Sequence, residues 1–289
     1  MPMVATKKPY TLVVVPDDDP INPREDNDNF GTMICFHSRY MLGDKHDYDD
    51  TQELFTDLIH KSISERDIVS YIKAGKVDGI KLEYNRSNRE WELNVYSGFF
   101  KKWYTEYTYP APLEKVSDLS DTILEYMKWE DMLPLAEKAY CILPVYLYDH
   151  SIQSVSTRSF MGRAQHAEWD SGQVGWVYAS HDKVREEFGG VTPEAIEKAE
   201  KLISGEVKEY DYYLTGQCYG FKLYENDEEV DSCWGFLGDI RDVQDNIKEF
   251  MPDECKDIVE TLQDRYDDID IEDYLEELQE SEDEDDEEL

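Results

Sequence analysis

The sequence predicts an α+β fold: a mixed, mainly antiparallel sheet with helices packed on it. Three observations lead there. Short β-branched and aromatic runs, such as Tyr10-Thr11-Leu12-Val13-Val14-Val15, end at Pro or Gly as strands do. Other stretches repeat apolar residues every three or four positions behind a Ser, Thr or Asp, the pattern of capped amphipathic helices. Finally, 40% apolar residues, among them 21 Tyr, 10 Phe and 6 Trp, are enough for a core despite the heavy charge.

The first strand covers residues 10–15 and stops at Pro16. Residues 17–30 hold Asp, Asn and Pro in a density that only a loop accommodates. A second strand, 32–36, delivers His37 and then Gly43-Asp44-Lys45-His46 at its end. Asp50 or Thr51 caps a helix with Leu54, Phe55, Leu58 and Ile59 on one face. Ser64-Glu65-Arg66-Asp67 resembles a capping box with Asp in place of Glu, ahead of Ile68, Ile72 and a stop at Gly75. Residues 80–84 and 91–96 alternate as strands around Asn85-Arg86-Ser87-Asn88, a hairpin signal, and 104–112 form an aromatic edge closed by Pro. Residues 117–129 read as one helix, with Leu119, Ile123, Tyr126 and Met127 inward.

The run 142–150 is a strand that ends in Asp149-His150, followed by a Ser/Thr-rich loop, Trp169-Asp170 and a second strand over 174–179. These two strands carry polar residues at facing ends, and the rest of the chain is arranged around them. Ser180 caps a short helix that Gly189-Gly190 stops. Thr192-Pro193 opens a longer one, striped by Ile196, Ala199, Ile203, Val207, Tyr210 and Leu214. Residues 217–224 and 230–237 make a second hairpin, and two helices follow, around Val243-Ile247 and Ile258-Leu262.

In domain terms, residues 1–51 and 139–238 form the α+β core, with 52–138 an inserted α/β segment. Residues 239–280 are an acidic helical extension, and 281–289 a disordered acidic tail.

Charge is the extreme feature. Sixty-seven acidic residues against 29 basic give −38. Residues 253–289 contribute −18, twenty carboxylates against Lys256 and Arg265, which leaves −20 for the other 252 residues. Such a field repels nucleic acid, so direct DNA or RNA binding is not expected. Lys7-Lys8 and Lys101-Lys102 are the only adjacent basic pairs. Five cysteines without C-x-x-C spacing, no signal peptide and no apolar run near 18 residues point to free thiols in a reducing compartment, with no membrane role.

Four motifs carry candidate chemistry. His37, Asp44 and His46 from one loop, Asp149 and His150 from a second, and Asp170 from a third could assemble an acid–base or metal site, or else a polar network that pins the loops. The spacing matches no metal motif, and no cofactor is expected. Cys35, two residues before His37, and Cys233 are read as core packing rather than nucleophiles. Ser171-Gly172-Gln173-Val174-Gly175 precedes a strand, so its glycines serve a tight turn and close backbone approach rather than a phosphate. Glu272, Asp273, Glu276, Glu277 and Glu280 make a row on a helix with neighbours about 5–6 Å apart. That is near the phosphate spacing of one DNA strand, roughly 6–7 Å with helical winding included.

These residues, taken together, resemble a family of uncharacterised acidic proteins of bacteriophages and mobile elements. The resemblance runs through Asp17-Asp18-Asp19-Pro20-Ile21-Asn22-Pro23-Arg24-Glu25, residues 29–37, Arg39-Tyr40 and Gly43-Asp44-Lys45-His46. It resumes at 143–151, 169–178, 209–216 and 230–236. Relative to shorter members, 52–138 and the acidic helical end look like additions. The family brings no assigned activity. It implies a viral or mobile-element setting, in which very acidic proteins are often inhibitors of host defence nucleases, some by imitating DNA. The expectation is therefore a non-enzymatic inhibitor in the host cytoplasm. It would bind the basic surface of a host defence nuclease or nucleic-acid-binding protein, and self-associate through its aromatic surface. A metal-dependent hydrolase or nuclease using the His/Asp loops is the alternative, and an acidic viral structural or chaperone-like factor a third reading.

Overall fold

The computed structural model describes residues 2–26, 28–112, 116–226 and 228–264. The fold is α+β, with its strands gathered in three sheets rather than the single sheet expected. In chain order, β1 (Met3–Lys7) and β2 (Tyr10–Pro16) precede the single turn α1 (Pro23–Asp26) and β3 (Thr32–Cys35). Helices α2 (Thr51–Ser62) and α3 (Glu65–Lys73) lead to β4 (Ile80–Asn85), β5 (Glu90–Ser97) and β6 (Lys102–Pro110). Then come α4 (Val116–Tyr126), α5 (Trp129–Ala136), β7 (Tyr140–His150), β8 (Ile152–Ser156), α6 (Ala167–Asp170) and β9 (Ser171–Ser180). The chain continues through α7 (His181–Phe188), α8 (Pro193–Leu214), β10 (Cys218–Glu225), β11 (Glu228–Leu237) and α9 (Ile240–Phe250). It reaches a 3₁₀ segment (Lys256–Thr261) and β12 (Gln263–Asp264).

Two compact units share the chain. One holds the described residues of 1–28, 148–156 and 207–289; the other holds those of 29–147 and 157–206.

In the first unit, five antiparallel strands run in the order β11-β10-β2-β1-β12. Leu12 and Val14 of β2 and Phe221 and Leu223 of β10 form its inner face, covered by Val243 and Ile247 of α9 and by Ile258 and Val259. Asp239 caps α9 by accepting from the Arg241 N–H at 3.1 Å. The sequence set this stretch apart as an extension. Part of it is instead core, because α9 and the 3₁₀ segment bury their apolar stripe on the sheet and Gln263 pairs with Val4. The second of the two expected helices is this 3₁₀ segment.

The second unit is built on helices. Leu54, Phe55, Leu58 and Ile59 of α2 pack with Ile68 and Ile72 of α3, Leu119 and Ile123 of α4, and Leu135 of α5. Both caps form as the sequence requires. Asp50 accepts from the Glu53 N–H at 2.9 Å, and Ser64 accepts from the Asp67 N–H at 3.2 Å while donating to the Asp67 carboxylate at 2.6 Å. Ile34 of β3, Ile142 of β7 and Trp176 of β9 belong to this same cluster, so residues 52–138 share a core with the strands they were expected to interrupt. The helix read over 117–129 is α4, which ends at Tyr126; α5, carrying Pro134, follows it as a separate helix. Strands β3, β9 and β7 lie side by side in that order, and β4-β5-β6 form an antiparallel meander.

Candidate functional site

A cleft of about 520 Å³ is lined, among the described residues, by the chain between Cys35 and Asp49. At the end of β3 the backbone doubles back on itself. Gly43 bridges to Ile34 with φ +74, and an added Cβ would lie 2.5 Å from the Met33 carbonyl oxygen, so this crossing requires glycine. Asp44 closes the loop twice. Its N–H donates to the Met33 carbonyl at 2.7 Å, and its Oδ2 accepts from the Met33 N–H at 2.9 Å.

Both histidines of the loop are turned to the backbone. His37 Nδ1 accepts from the N–H groups of Arg39 and Tyr40 at 3.4 and 3.3 Å, with its ring stacked on Tyr40 at 4.9 Å. His46 Nε2 donates to the Cys35 carbonyl at 3.0 Å, and the ring sits against Phe36 and Tyr48. His46 Nδ1 is buried with no hydrogen-bond partner among the described residues, an acceptor held against the wall of the loop.

The structure thus brings His37, Asp44 and His46 to one cleft. Asp149 and His150 fall in the other compact unit, where Asp149 accepts from Gln153 at 3.2 Å and His150 stacks on Tyr148. Asp170 ends α6 and does not line the cleft. Among the described residues, no group of three or more His, Cys, Asp or Glu is placed to hold a metal ion. His37 Nδ1, Asp44 Oδ2 and His46 Nε2 each bond backbone, which fits the loop-pinning alternative.

A further pin escaped the sequence reading. The Tyr48 hydroxyl donates to Asp57 Oδ2 at 2.5 Å, and Lys61 donates to the same oxygen at 2.6 Å. Burial, followed by the hydrogen bond to Asp57, pushes the Tyr48 hydroxyl up to about 12. Burial alone would raise Asp57, but the hydrogen bonds from Lys61 and Tyr48 outweigh it and hold the carboxyl below its ordinary value. The only trace in the sequence was Asp57 and Lys61 four apart on a helix. In the first unit Asp211 plays a similar part, accepting from the Ser154 hydroxyl at 2.7 Å and the Val155 N–H at 2.8 Å. Burial still leaves its carboxyl raised.

The remaining motifs behave as packing. Cys35 is buried, Cys233 is half-buried, and all five thiols are free. Gly175 meets the backbone of β3 so closely that a Cβ would sit 2.0 Å from the Ile34 carbonyl oxygen, whereas Gly172 faces open space.

The acidic row Glu272, Asp273, Glu276, Glu277 and Glu280 lies outside the described residues. A comparable surface exists inside them. With Val243 and Ile247 of α9 buried, Asp242, Asp245 and Glu249 face outward, and the exposed Asp253, Glu254, Asp257 and Glu260 extend the acidic run. Lys7, Lys248 and Lys256 offset part of it, pairing with Asp257, with Asp245 and Glu260, and with Asp253, which leaves Asp242, Glu249 and Glu254 outside these ion pairs.

Compared with known proteins, the chain matches no family model, no curated protein and no solved structure. No helix among the described residues is long and apolar enough to cross a membrane.

Proposed function

We propose that this protein is a non-enzymatic inhibitor, encoded by a phage or mobile element, that acts in the host cytoplasm on an anti-phage defence nuclease or restriction-type complex. It engages the basic surface of that target through carboxylates, either imitating DNA or caging the enzyme. One observation carries the reading: the acidic excess is displayed on an ordered face, with Asp242, Asp245 and Glu249 projecting from a helix whose opposite side is core. Neighbouring carboxylates three or four apart on such a helix are about 5–6 Å apart, a regular array that a merely solubilising tail does not need. The commitment of His37, Asp44 and His46 to backbone favours binding over catalysis.

The test is association kinetics with a candidate nuclease across a salt series. Long-range steering requires the on-rate to fall steeply as the Debye length shrinks from about 10 Å at 0.1 M to about 3 Å at 1 M, with the off-rate changing less. Asp242→Asn/Asp245→Asn/Glu249→Gln should weaken inhibition and leave melting nearly unchanged. Imitation of DNA also requires competition with duplex DNA for one site. A ternary complex of target, DNA and inhibitor would exclude mimicry and leave caging. An on-rate indifferent to salt would end the acidic-surface reading altogether.

A further inference from the structure

The β4-β5-β6 meander has one face in the core and one face bare. Ile80, Leu82 and Leu93 are buried on the inner side. The register places Lys81 opposite Asn94 and Asn94 opposite Thr105, with Glu83 opposite Glu92, Asn85 opposite Glu90 and Tyr96 opposite Trp103; all of these share the outer face. Beyond it, the β5–β6 turn holds Phe99 at 87% and Phe100 at 62% exposure. Tyr96, Trp103, Phe99 and Phe100 together leave on the order of 500 Å² of aromatic surface in water, at about 200 Å² per ring. That is towards the upper end of the about 300–600 Å² that the largest apolar patch of a monomer covers, and patches of this size are often functional.

The face is also ordered by charge along the strands. In residues 71–110 seven Lys and Arg exceed five Asp and Glu, a local excess of two positive charges in a chain of −38. Lys81 lies over the Trp103 ring at 4.6 Å, and Tyr96 packs on Trp103 at 5.4 Å, towards the Phe99-Phe100 end. Glu83 and Glu92 sit directly opposite each other one step away; Lys81 of the same chain pairs with Glu83 at 2.8 Å and Asn85 donates to Glu92 at 2.7 Å, so the two carboxylates share a single cation. Past them the β4–β5 turn ends the sheet with exposed Arg86 and Arg89. The polar middle is already satisfied, Asn94 donating to Glu83 at 3.1 Å and accepting from Thr105 at 2.7 Å, so covering it orphans neither.

We infer that two copies of the chain dimerise face to face through this outer surface. The two-fold axis lies between the sheets, across the strands, and passes between the Lys81–Asn94 row and the Glu83–Glu92 row. That operation sets Lys81 of each copy over Glu83 and Glu92 of the other. It brings the Phe99-Phe100 turn of each to Arg86 and Arg89 of the other, a cation–π match. A second copy is the partner because the face is complementary to itself and to no uniform field: nucleic acid would meet Glu83, Glu90 and Glu92, and an acidic protein would meet them too. Addition at the free edge of β6 is disfavoured by the bulge opposite Leu93–Asn94 and by Lys102 and Pro110 at its ends, so the face and not the edge takes the partner. The aromatic area supplies over half of the about 800 Å² per partner of a standard interface, and the polar strands supply the rest. This inference is independent of what the carboxylates bind.

Light scattering and sedimentation of the full chain over a micromolar concentration series should give twice the 33.9 kDa chain mass. Lys81→Glu and Glu83→Lys, each alone, should weaken self-association at least tenfold, since each sets like charges over one another. An equimolar mixture of the two variants should recover a dimer of near wild-type strength, because only the mixed pair restores both contacts. Melting of each variant reports whether it folds, and Phe99→Ser/Phe100→Ser supplies a second weakening change at exposed positions. A wild-type chain that stays monomeric overturns the proposal. So does a dimer indifferent to both charge variants, or a mixture that does not recover.

Discussion

β6 and β11 occupy equivalent places and are edged with different chemistry. Each is the outermost strand of an antiparallel sheet, and nearly every residue of each is exposed. β11 carries Glu228, Glu229 and Asp231 and two register shifts against β10, features that keep an edge solvated and unpaired. Its exposed Trp234 lies on its own sheet, over Gly220, where an added Cβ would come within 2.1 Å of the ring. The aromatics of β6 and its turn have no such glycine beneath them; Phe99 and Phe100 contact chiefly each other and Tyr104. An exposed aromatic is therefore not one kind of signal. Trp234 is spent on local packing, whereas the Phe99–Trp103 turn is left for a partner.

The largest expected effect tests whether the two sheets are alike on their inner faces. Phe221→Ala beneath β11 should cost about 3–5 kcal/mol, and Leu93→Ala beneath β6 about 2–5 kcal/mol, in denaturant unfolding, since both side chains are fully buried. A cost under about 1 kcal/mol for Leu93→Ala would mean that the three-stranded sheet does not belong to the core.

A smaller effect isolates the Trp234–Gly220 contact. Gly220→Ala should destabilise by about 1–3 kcal/mol through the forced shift of the indole, and Trp234→Ala in the same chain should remove most of that cost. Strict additivity would show that the ring does not rest on the glycine. Gly98→Ala, in the β5–β6 turn with nothing within 4 Å, should be close to neutral.

The smallest effect concerns reactivity rather than stability. Cys233 on the edge strand should react with a thiol reagent well before Cys218 one strand inside. Burial, then the Asp17 carboxylate, pushes the Cys218 thiol up to about 11, so at pH 8 only about one molecule in a thousand carries the thiolate there. Equal labelling rates would show that β11 leaves the sheet readily.

Much of the fold was legible because its signals are local. Asp50 and Ser64 as caps, the α2 stripe from Leu54 to Ile59, and both hairpins depend on residues within a few positions of one another. The elements that escaped have their causes at a distance. β12 is two residues long and is a strand only through its pairing with β1 across the length of the chain, whereas β1 pairs along its length with the neighbouring β2. β8 hides in a Ser/Thr-rich stretch held by Asp211, and α5 carries a Pro that sequence rules place outside a helix.

The candidate site divides the same way. The sequence by itself determined that His37, Asp44 and His46 sit together at a strand end, because they lie within ten positions and Gly43 permits the turn. It also determined the net charge and the surplus of aromatics. Only the tertiary structure decided what those residues do. Each of them bonds the backbone of residues 33–40, Asp149 and His150 belong to another unit, and the acidic stretch after Gly238 contributes core as well as charge. The physical reason is that composition and periodicity specify which side chains must be buried or solvated. Which partner satisfies a buried donor, and which apolar face stays bare, depends on contacts between residues far apart in the chain.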